Sequence, residues 1–189
     1  MLSKSEAQAL LGQAELIYPA GAVQAAVARI AADINSQLAD RHPLVLSVMG
    51  GAVVFSGQLL PQLTFPLDFD YVHVSRYGQH RHGGELHWKV EPGEAVSGRT
   101  VLVLDDILDE GETLAAIRHR VLQLGAREFF SAVFADKQHG RLKPIAADFV
   151  GLTVPDRFVF GYGMDLHGAW RNLPAVYALP DSAEDLPSC

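Results

Sequence analysis

The chain has a single cysteine, Cys189, at its last position. One cysteine excludes an intrachain disulfide and is typical of a reducing compartment, so we expect a cytoplasmic location. Basic residues are also scarce, with 15 lysines and arginines against 22 acids and a net charge of −7. This balance argues against a nucleic-acid-binding or anionic-membrane surface, although it leaves room for a local basic patch.

Long hydrophobic runs are absent as well. The longest nearly apolar stretch, residues 44–55, is too short to cross a bilayer and is interrupted by Gly50 and Gly51. Residues 1–11 lack the sustained apolar core of a secretory signal. We therefore expect no membrane segment. The length of 189 residues, 49% of them hydrophobic, predicts one domain with a substantial core.

Helix-like and strand-like patterns alternate along the chain. Residues 22–40 place apolar side chains at helical spacing, and a second amphipathic helix is predicted to begin at Thr113. Residues 76–85 are polar and glycine-rich, which predicts a loop, and the tail from Pro174 is predicted to be irregular. The predicted strands are residues 44–49, 67–75, 87–90, 101–105, 129–135, 149–152 and 157–162. This alternation predicts an α/β fold with a mainly parallel sheet flanked by helices.

The most informative stretch is residues 101–114, VLVLDDILDEGETL. Four apolar residues end at two adjacent carboxylates, Asp105 and Asp106, followed by a third acid, a glycine and a threonine. Ligands gather at the carboxyl ends of parallel strands, and the N-terminus of the next helix attracts phosphate. Adjacent carboxylates suit sugar hydroxyls or Mg²⁺. Acids before a helix are common for electrostatic reasons alone, but a doubled acid directly behind a buried strand favours a ligand that is both polyol and phosphate.

This stretch resembles the phosphoribosyl-pyrophosphate-binding motif of type I phosphoribosyltransferases. A second match, residues 148–165 and 171–174, resembles the hypoxanthine–guanine branch of that family, and the resemblance covers most of residues 20–180. It implies the type I phosphoribosyltransferase fold, an α/β fold with a mainly parallel twisted sheet flanked by helices and a small hood. We expect a single domain, residues 1–189, whose hood is formed by the N-terminal segment and residues 150–180.

The resemblance implies how the sugar and its phosphates are held. Asp105 and Asp106 match the acid pair that holds the ribose hydroxyls and a bound Mg²⁺, and Asp165 matches the acid near a second Mg²⁺. Arg171 matches the guanidinium at the pyrophosphate, and Tyr77 lies on the lid that closes over the site. The implied phosphate contacts, mostly from main-chain N–H groups, come from Gly50, Gly51, Glu110, Gly111, Glu112 and Thr113.

The resemblance also implies how the purine base is held. Asp109 matches the carboxylate that faces N7, where the base must lose a proton as N9 attacks C1′ of the sugar. Lys137 matches the ammonium that donates to the 6-oxo group. Phe158 is implied to stack on the purine, and the main chain of Val159 to contact its edge.

The expected function is therefore that of a purine salvage enzyme. It would transfer the phosphoribosyl group to hypoxanthine or guanine, giving IMP or GMP and pyrophosphate, with Mg²⁺ as cofactor. The family implies a homodimer or homotetramer. Two alternatives stay open: a regulator that binds phosphoribosyl pyrophosphate without catalysis, and an enzyme that prefers xanthine or another base.

Several positions depart from the family pattern, mostly by removing positive charge. Met49 stands where the pyrophosphate loop usually has Lys, and the family's cis peptide bond would fall between Val48 and Met49. Glu110 and Glu112 replace the usual Thr and Lys of the phosphate loop, and would repel a phosphate unless they point away from it. Arg76 replaces a Ser in the lid and could restore some of this charge.

Overall fold

The computed structural model describes residues 2–77 and 85–180, except for the side chains of residues 76, 77, 85 and 86. Its α-helices are α1 (Lys4–Gln13), α2 (Ala20–Leu38), α3 (Val53–Leu59) and α4 (Glu112–Gln123), and Leu60–Gln62 and Glu94–Val96 form short 3-10 helices. Its strands are β1 (Glu15–Tyr18), β2 (Leu44–Met49), β3 (Asp68–Tyr77), β4 (Glu85–Val90), β5 (Thr100–Leu108), β6 (Glu128–Gln138), β7 (Phe149–Pro155), β8 (Val159–Phe160) and β9 (Val176–Ala178). No helix of these residues is long and apolar enough to span a bilayer.

Six strands form one large sheet in the order β4-β3-β2-β5-β6-β7. Neighbouring strands are parallel throughout except for β3 and β4, which are antiparallel. After β2 the chain adds β3 on one side and then crosses to add β5 on the other. The order therefore reverses between β2 and β5, and their carboxyl ends flank a crevice of the kind in which open α/β sheets bind ligands. The predicted α/β fold with a mainly parallel sheet is confirmed.

The central strand β5 shows why the sheet is buried on both faces. Val101 and Val103 pack on the face covered by α4, whereas Leu102 and Leu104 pack on the face covered by α2 and α3. Because successive side chains of a strand point to opposite faces, a strand covered on both sides needs an unbroken apolar run. The sequence VLVL meets this requirement and brings the following acids to the crevice.

The helix predicted at residues 22–40 is present as α2, two residues earlier at each end. Its buried residues are Val23, Ala26, Val27, Ile30, Ala31, Ile34 and Leu38. These side chains repeat at intervals of three and four residues and therefore form one apolar stripe. The stripe packs against the sheet face that carries Val45 and Phe134.

A smaller antiparallel sheet has the order β1-β9-β8. Helix α1 is attached to the loop before β9, since the Trp170 indole N–H donates to the Ala7 carbonyl at 2.8 Å. The Tyr18 hydroxyl, at the end of β1, donates to the Thr153 carbonyl of β7 at 2.7 Å. Residues 149–155 belong to the large sheet, so the contribution of the C-terminal half to the small sheet begins at Val159.

Two local predictions were wrong. Strand β5 continues to Leu108, past the expected end at Asp105, because Ile107 and Leu108 still pair with β6. The tail after Pro174 was expected to be irregular, but Val176–Ala178 forms β9 between β1 and β8. Both strands depend on partners distant in sequence, which local composition does not reveal.

Candidate active site

A cavity of about 630 Å³ lies at the carboxyl ends of β2, β5 and β6. The loops that follow β2 and β5 form part of its wall, and residues 156–158, 165 and 171 close another side. Most of the residues implied by the resemblance meet here. They are Gly50, Gly51, Asp105, Asp106, Asp109, Glu110, Gly111, Thr113, Lys137, Phe158, Asp165 and Arg171.

Two other implied residues, Glu112 and Val159, do not line this cavity. Glu112 is exposed at the first position of α4. The side chain of Val159 is only 7% exposed and packs in the hydrophobic core, whereas the implied contact of its main chain with the purine edge stays a prediction. The side chain of Tyr77 lies outside the described residues, as does that of Arg76.

The acid pair is buried beside the crevice. Asp105 is 6% exposed, and burial followed by the charge of Asp106 raises the pKa of its carboxyl well above the ordinary value. Burial also raises the pKa of Asp106, opposed in part by a hydrogen bond from Asp105 and by the charge of Arg171. Within the described residues neither carboxylate has an ion-pair partner. Two adjacent buried carboxylates offer the oxygen ligands that Mg²⁺ prefers.

The loop between β5 and α4 has the geometry of a phosphate cradle. Gly111 caps α4 with a left-handed backbone, φ +81°, which glycine adopts without the steric cost of a side chain. The N-terminus of a helix carries the positive end of its dipole, which favours a phosphate beside the first turn of α4. The two unusual acids do not crowd this loop: Glu110 pairs with Arg141 at 2.9 Å, and Glu112 is exposed.

The two residues expected to contact the base lie on neighbouring strand ends. Nζ of Lys137, on β6, donates to Oδ2 of Asp109, directly after β5, at 2.8 Å. The strands are in register here, with Leu108 opposite Asp136. Phe158 lines the same cavity, and its outer neighbour is the ring of His167, whose centroid is 5.8 Å away at an interplanar angle of 24°. A flat ligand that contacts all three side chains must have an edge with both hydrogen-bond donor and acceptor atoms.

The loop after β2 packs against the acid pair with no room for a side chain at Gly51. A Cβ at Gly51 would lie 1.8 Å from Oδ2 of Asp106, and one at Gly163 would lie 2.1 Å from the Gly51 carbonyl oxygen. The cis peptide bond is found between Met49 and Gly50, one residue later than expected. His73 is the neighbour of Met49 on β3 and also lines the cavity.

Arg171 and Asp165 form one unit at the far side of the cavity. Nη2 of Arg171 lies 2.7 Å from Oδ1 of Asp165, and its Nη1 donates to the Gly163 carbonyl at 2.6 Å. The other oxygen of Asp165 accepts the N–H of Gly168 at 2.7 Å. Asp165 is thus already ion-paired, and in this respect it differs from Asp105 and Asp106 as a candidate metal ligand.

Several lining residues were missed at the level of sequence. His73, Arg141, Asp156 and Arg157 line the cavity, and Lys143 supports it from behind. Asp156 and Arg157 stand next to Phe158 within the matched segment and could have been included on that ground. His73 lies on a predicted strand but outside any matched motif, and Arg141 and Lys143 lie in a segment without a recognisable pattern. Asp109, Glu110 and His139 also cluster closely enough to hold a metal ion, but the two carboxylates are already paired with Lys137 and Arg141.

Comparison with known proteins identifies the family of this chain. The family model for the phosphoribosyl transferase domain matches residues 13–167. The hypoxanthine-guanine phosphoribosyltransferase of Bacillus subtilis strain 168 is 35% identical over 83% of this chain and 88% of that protein. The hypoxanthine-guanine-xanthine phosphoribosyltransferase of Tritrichomonas foetus is 30% identical over 88% of this chain and 92% of that protein.

The fold is likewise shared with a solved relative. The crystal structure of a hypoxanthine phosphoribosyltransferase from Staphylococcus aureus superposes with a TM-score of 0.86, covering 94% of this chain and 98% of that one at 23% identity. At 23% identity this structural similarity shows a shared fold. Membership of the family is shown by the family model and by the two relatives above. The crevice, the acid pair, the phosphate cradle and these matches together place the chain in the phosphoribosyltransferase family.

Proposed function

We propose that this protein is a hypoxanthine–guanine phosphoribosyltransferase of purine salvage. It transfers the 5-phosphoribosyl group from 5-phosphoribosyl 1-pyrophosphate to hypoxanthine or guanine, giving IMP or GMP and pyrophosphate. The observation that carries the proposal is the pairing of Lys137 with Asp109 at 2.8 Å, in the same cavity as the acid pair and the phosphate cradle. The Bacillus subtilis relative, 35% identical, has the same activity in its name.

The base is recognised by separating that ion pair. Lys137 donates to the 6-oxo group, and Asp109 accepts the proton of N7, each replacing one contact of the free protein by a contact to the purine. As N9 attacks C1′, the N7 proton passes to Asp109, so that the base is not left positively charged. Phe158 stacks on the ring, which gives affinity that all purines share.

The sugar and its phosphates are held by the opposite half of the cavity. The main-chain N–H groups of residues 110–113 bind the 5′-phosphate, and Asp105 and Asp106 hold the ribose hydroxyls. Arg171 lies at the pyrophosphate, where it offsets the charge that grows as the C1′–O bond breaks. Mg²⁺, when held by Asp105 and Asp106 with Asp165 nearby, supplies further positive charge to the leaving pyrophosphate.

Water must be kept from C1′ during the reaction, because it would hydrolyse the activated sugar. We assign this role to closure of the lid that carries Tyr77. The side chain of Tyr77 lies outside the described residues. The regulator alternative is less favoured, since a protein that only binds phosphoribosyl pyrophosphate has no use for the paired Lys137 and Asp109 at the base position.

The test is nucleotide formation with each of hypoxanthine, guanine, xanthine and adenine. A site built around a donor to a 6-oxo group rejects a 6-amino group by up to about 10⁴–10⁵-fold, so adenine should be a very poor substrate. Lys137→Met should narrow this gap mainly by slowing the 6-oxopurines. If the wild type uses adenine within about tenfold of hypoxanthine, the Lys137 assignment fails.

Xanthine is the base for which the outcome is most open. The Tritrichomonas foetus relative includes xanthine in its name, and the 6-oxo group on which Lys137 acts is common to all three bases. A rate with xanthine above that with hypoxanthine would change the substrate assignment but not the reaction class.

We further propose that the protein is a homo-oligomer in the cytoplasm. Phe69 and Tyr71 of β3 are 46% and 44% exposed, and Val53 at the start of α3 is 48% exposed. By register, Phe69 and Tyr71 lie on the sheet face of Val45 and Ser47, which α2 and α3 cover only over the central strands. Two copies that share this apolar face would bury it. Phe69→Asp should then shift the sedimenting species toward the monomer, and an unchanged species would exclude this face as the interface.

A further inference from the structure

The irregular segment after β6 sends one charged side chain inward. Leu142 is fully exposed and the Arg141 side chain is about half exposed, whereas the Lys143 side chain between Leu142 and Pro144 is only 15% exposed. An ammonium buried to this extent needs partners for all three of its N–H donors. Lys143 has three.

Those three partners lie at the ends of the two strands that carry the base-contacting residues. Nζ of Lys143 donates to the Leu108 carbonyl at 2.7 Å, to the Lys137 carbonyl at 2.8 Å and to the carboxylate of Asp136. Leu108 is the last residue of β5 and directly precedes Asp109. The contact on β6 is the main chain of Lys137 itself.

The same segment also supports the phosphate cradle. A Cβ placed on Gly111 would lie 3.3–3.5 Å from side-chain atoms of Pro144, Lys143 and Ile145, which form the surface behind the loop. The ammonium of Lys143 therefore acts on the strand ends, whereas its stem and the next two residues act on the loop. A substitution that keeps the stem and removes the charge can separate the two roles.

We propose that Lys143 is a positioning residue for base recognition, which fixes the relative placement of Asp109 and Lys137. This inference rests on the proposed function. Its physical basis is that main chains at strand ends lose their ladder partners, so that the spacing of β5 and β6 beyond Leu108 depends on other contacts. A charge-assisted triple hydrogen bond is a strong one. The residue has no contact with substrate in this assignment and acts through Asp109 and Lys137.

The test compares Lys143→Met with the wild type and with Lys89→Met, a matched loss of an exposed lysine on β4. Methionine keeps the length and the stem of lysine but donates nothing. For Lys143→Met we expect kcat/KM for hypoxanthine to fall by about 10²-fold, the usual cost of misplacing reacting groups by about 1 Å. The KM for phosphoribosyl pyrophosphate should stay within about threefold of the wild type, since the surface behind Gly111 is retained. Lys89→Met should match the wild type.

A merely structural role would give a different pattern. A smaller folded fraction would lower kcat with both KM values unchanged, and that result, or unaltered kinetics, would overturn the proposal. If Lys143→Met is too unstable to assay, Asp136→Asn/Lys143→Met removes the carboxylate left unpaired and is measured in its place. Lys143→Arg, which retains the charge and several donors, should recover part of the loss.

A structural measurement separates this proposal from the proposed function. In the crystal structure of Lys143→Met without substrates, the distance between Nζ of Lys137 and Oδ2 of Asp109, 2.8 Å here, should exceed hydrogen-bonding range. An unchanged distance overturns the positioning role even if activity is low. A wild type that forms neither IMP nor GMP refutes the proposed function, while the distance still decides the role of Lys143.

Discussion

At the scale of single residues, the base site holds its two charges in mutual contact. Asp109 and Lys137 neutralise each other in the free protein, so the cavity presents a closed ion pair where a base with an acceptor and a donor would fit. In the proposed function, the contacts to a 6-oxopurine would replace those of the pair without leaving either charge unpaired. A ligand lacking one of the two groups would leave a partly buried charge without a partner.

Asp109→Asn tests the proton-accepting role. The amide can still accept a hydrogen bond but does not take up the proton, so turnover with hypoxanthine should fall by about 10²–10⁴-fold, the usual share of a general base. Binding of phosphoribosyl pyrophosphate, measured by calorimetry, should be nearly unchanged. Near-normal turnover would remove Asp109 from this role.

The buried acid pair should make the free protein less stable as its carboxylates ionise. The native pKa of Asp105 is raised by burial and by Asp106, so its contribution to stability is complete below the ordinary value of 3.8 and is lost as pH rises through the raised native value. Asp105→Asn removes this loss. We expect it to raise the free energy of unfolding at neutral pH by about 0.5–2 kcal/mol, measured by denaturation without divalent metal.

The pH dependence of that difference provides the control. The gain should grow from pH 4 toward pH 7, and Asp33→Asn, an exposed acid of α2, should show none. Asp68 and Glu128 have pKa values lowered by hydrogen bonds from Arg99 and Arg41, so they make the free energy of unfolding rise with pH. This effect is the same in the wild type and in Asp105→Asn and cancels in their difference. A gain that does not vary with pH would mean that ionisation of the pair is not its source.

Individual site residues differ in how far the sequence could predict them. Asp105, Asp106 and Asp109 follow an apolar run that indicates a buried strand, so their meeting at a sheet edge was predictable from the chain order. Val159 was assigned from the family resemblance for its main chain; its side chain packs in the core, and the main-chain contact stays a prediction. Lys143 could not be found, because its three partners are fixed by the register of two strands and not by any neighbour in sequence.

At the scale of elements, the loop between β2 and α3 is set by what packs behind it. Gly51→Ala would place a methyl group on the Asp106 carboxylate, at 1.8 Å before any shift, so the acid pair or the loop must move. We expect kcat/KM for phosphoribosyl pyrophosphate to fall by about 10²-fold or more. Gly57→Ala in α3 is the matched control, since a Cβ there meets nothing within 4 Å. Equal kinetics for the two variants would show that the loop tolerates side chains.

The elements themselves were predictable where they depend on local pattern. The stripe of α2 and the apolar run of β5 each contain their own periodicity, and both were located to within a few residues. The short strand β9 was not, because three residues between prolines become a strand only by pairing on both sides with β1 and β8. Long-range pairing likewise extends β5 beyond Asp105 to Leu108.

At the scale of the whole molecule, the acidic balance of the chain extends into the cavity. Its lining includes six carboxylates but four permanent cations, and three of those cations pair with carboxylates of the same wall. A polyanionic substrate therefore needs charge from outside the protein. Binding of phosphoribosyl pyrophosphate should depend on Mg²⁺, and calorimetry in excess chelator should detect little binding. Equal affinity with and without the metal would contradict this expectation.

Met49, which stands where the family usually has lysine, allows a second test of the shortage of positive charge in the cavity. Met49→Lys adds one positive charge to the cavity wall beside Gly50 and should tighten phosphoribosyl pyrophosphate binding by up to about tenfold, or about 1.4 kcal/mol. Gln58→Lys, at an exposed position of α3, serves as a control for net charge alone. Unchanged affinity for Met49→Lys would mean that the charge at this position is not limiting.

The contact series from Asp106 through Gly51 to Gly163 also constrains how the gene can vary. The carboxylate fills the space where position 51 would carry a side chain, and the Gly51 carbonyl fills the space where position 163 would. Gly163 has φ +101° besides, so two independent penalties fall on one codon. In a population selected for growth on hypoxanthine as its purine source, we expect glycine to be retained at both positions. A substitution at one would not be compensated by a substitution at the other. The contact between the two loops therefore restricts sequence variation on both sides of the site.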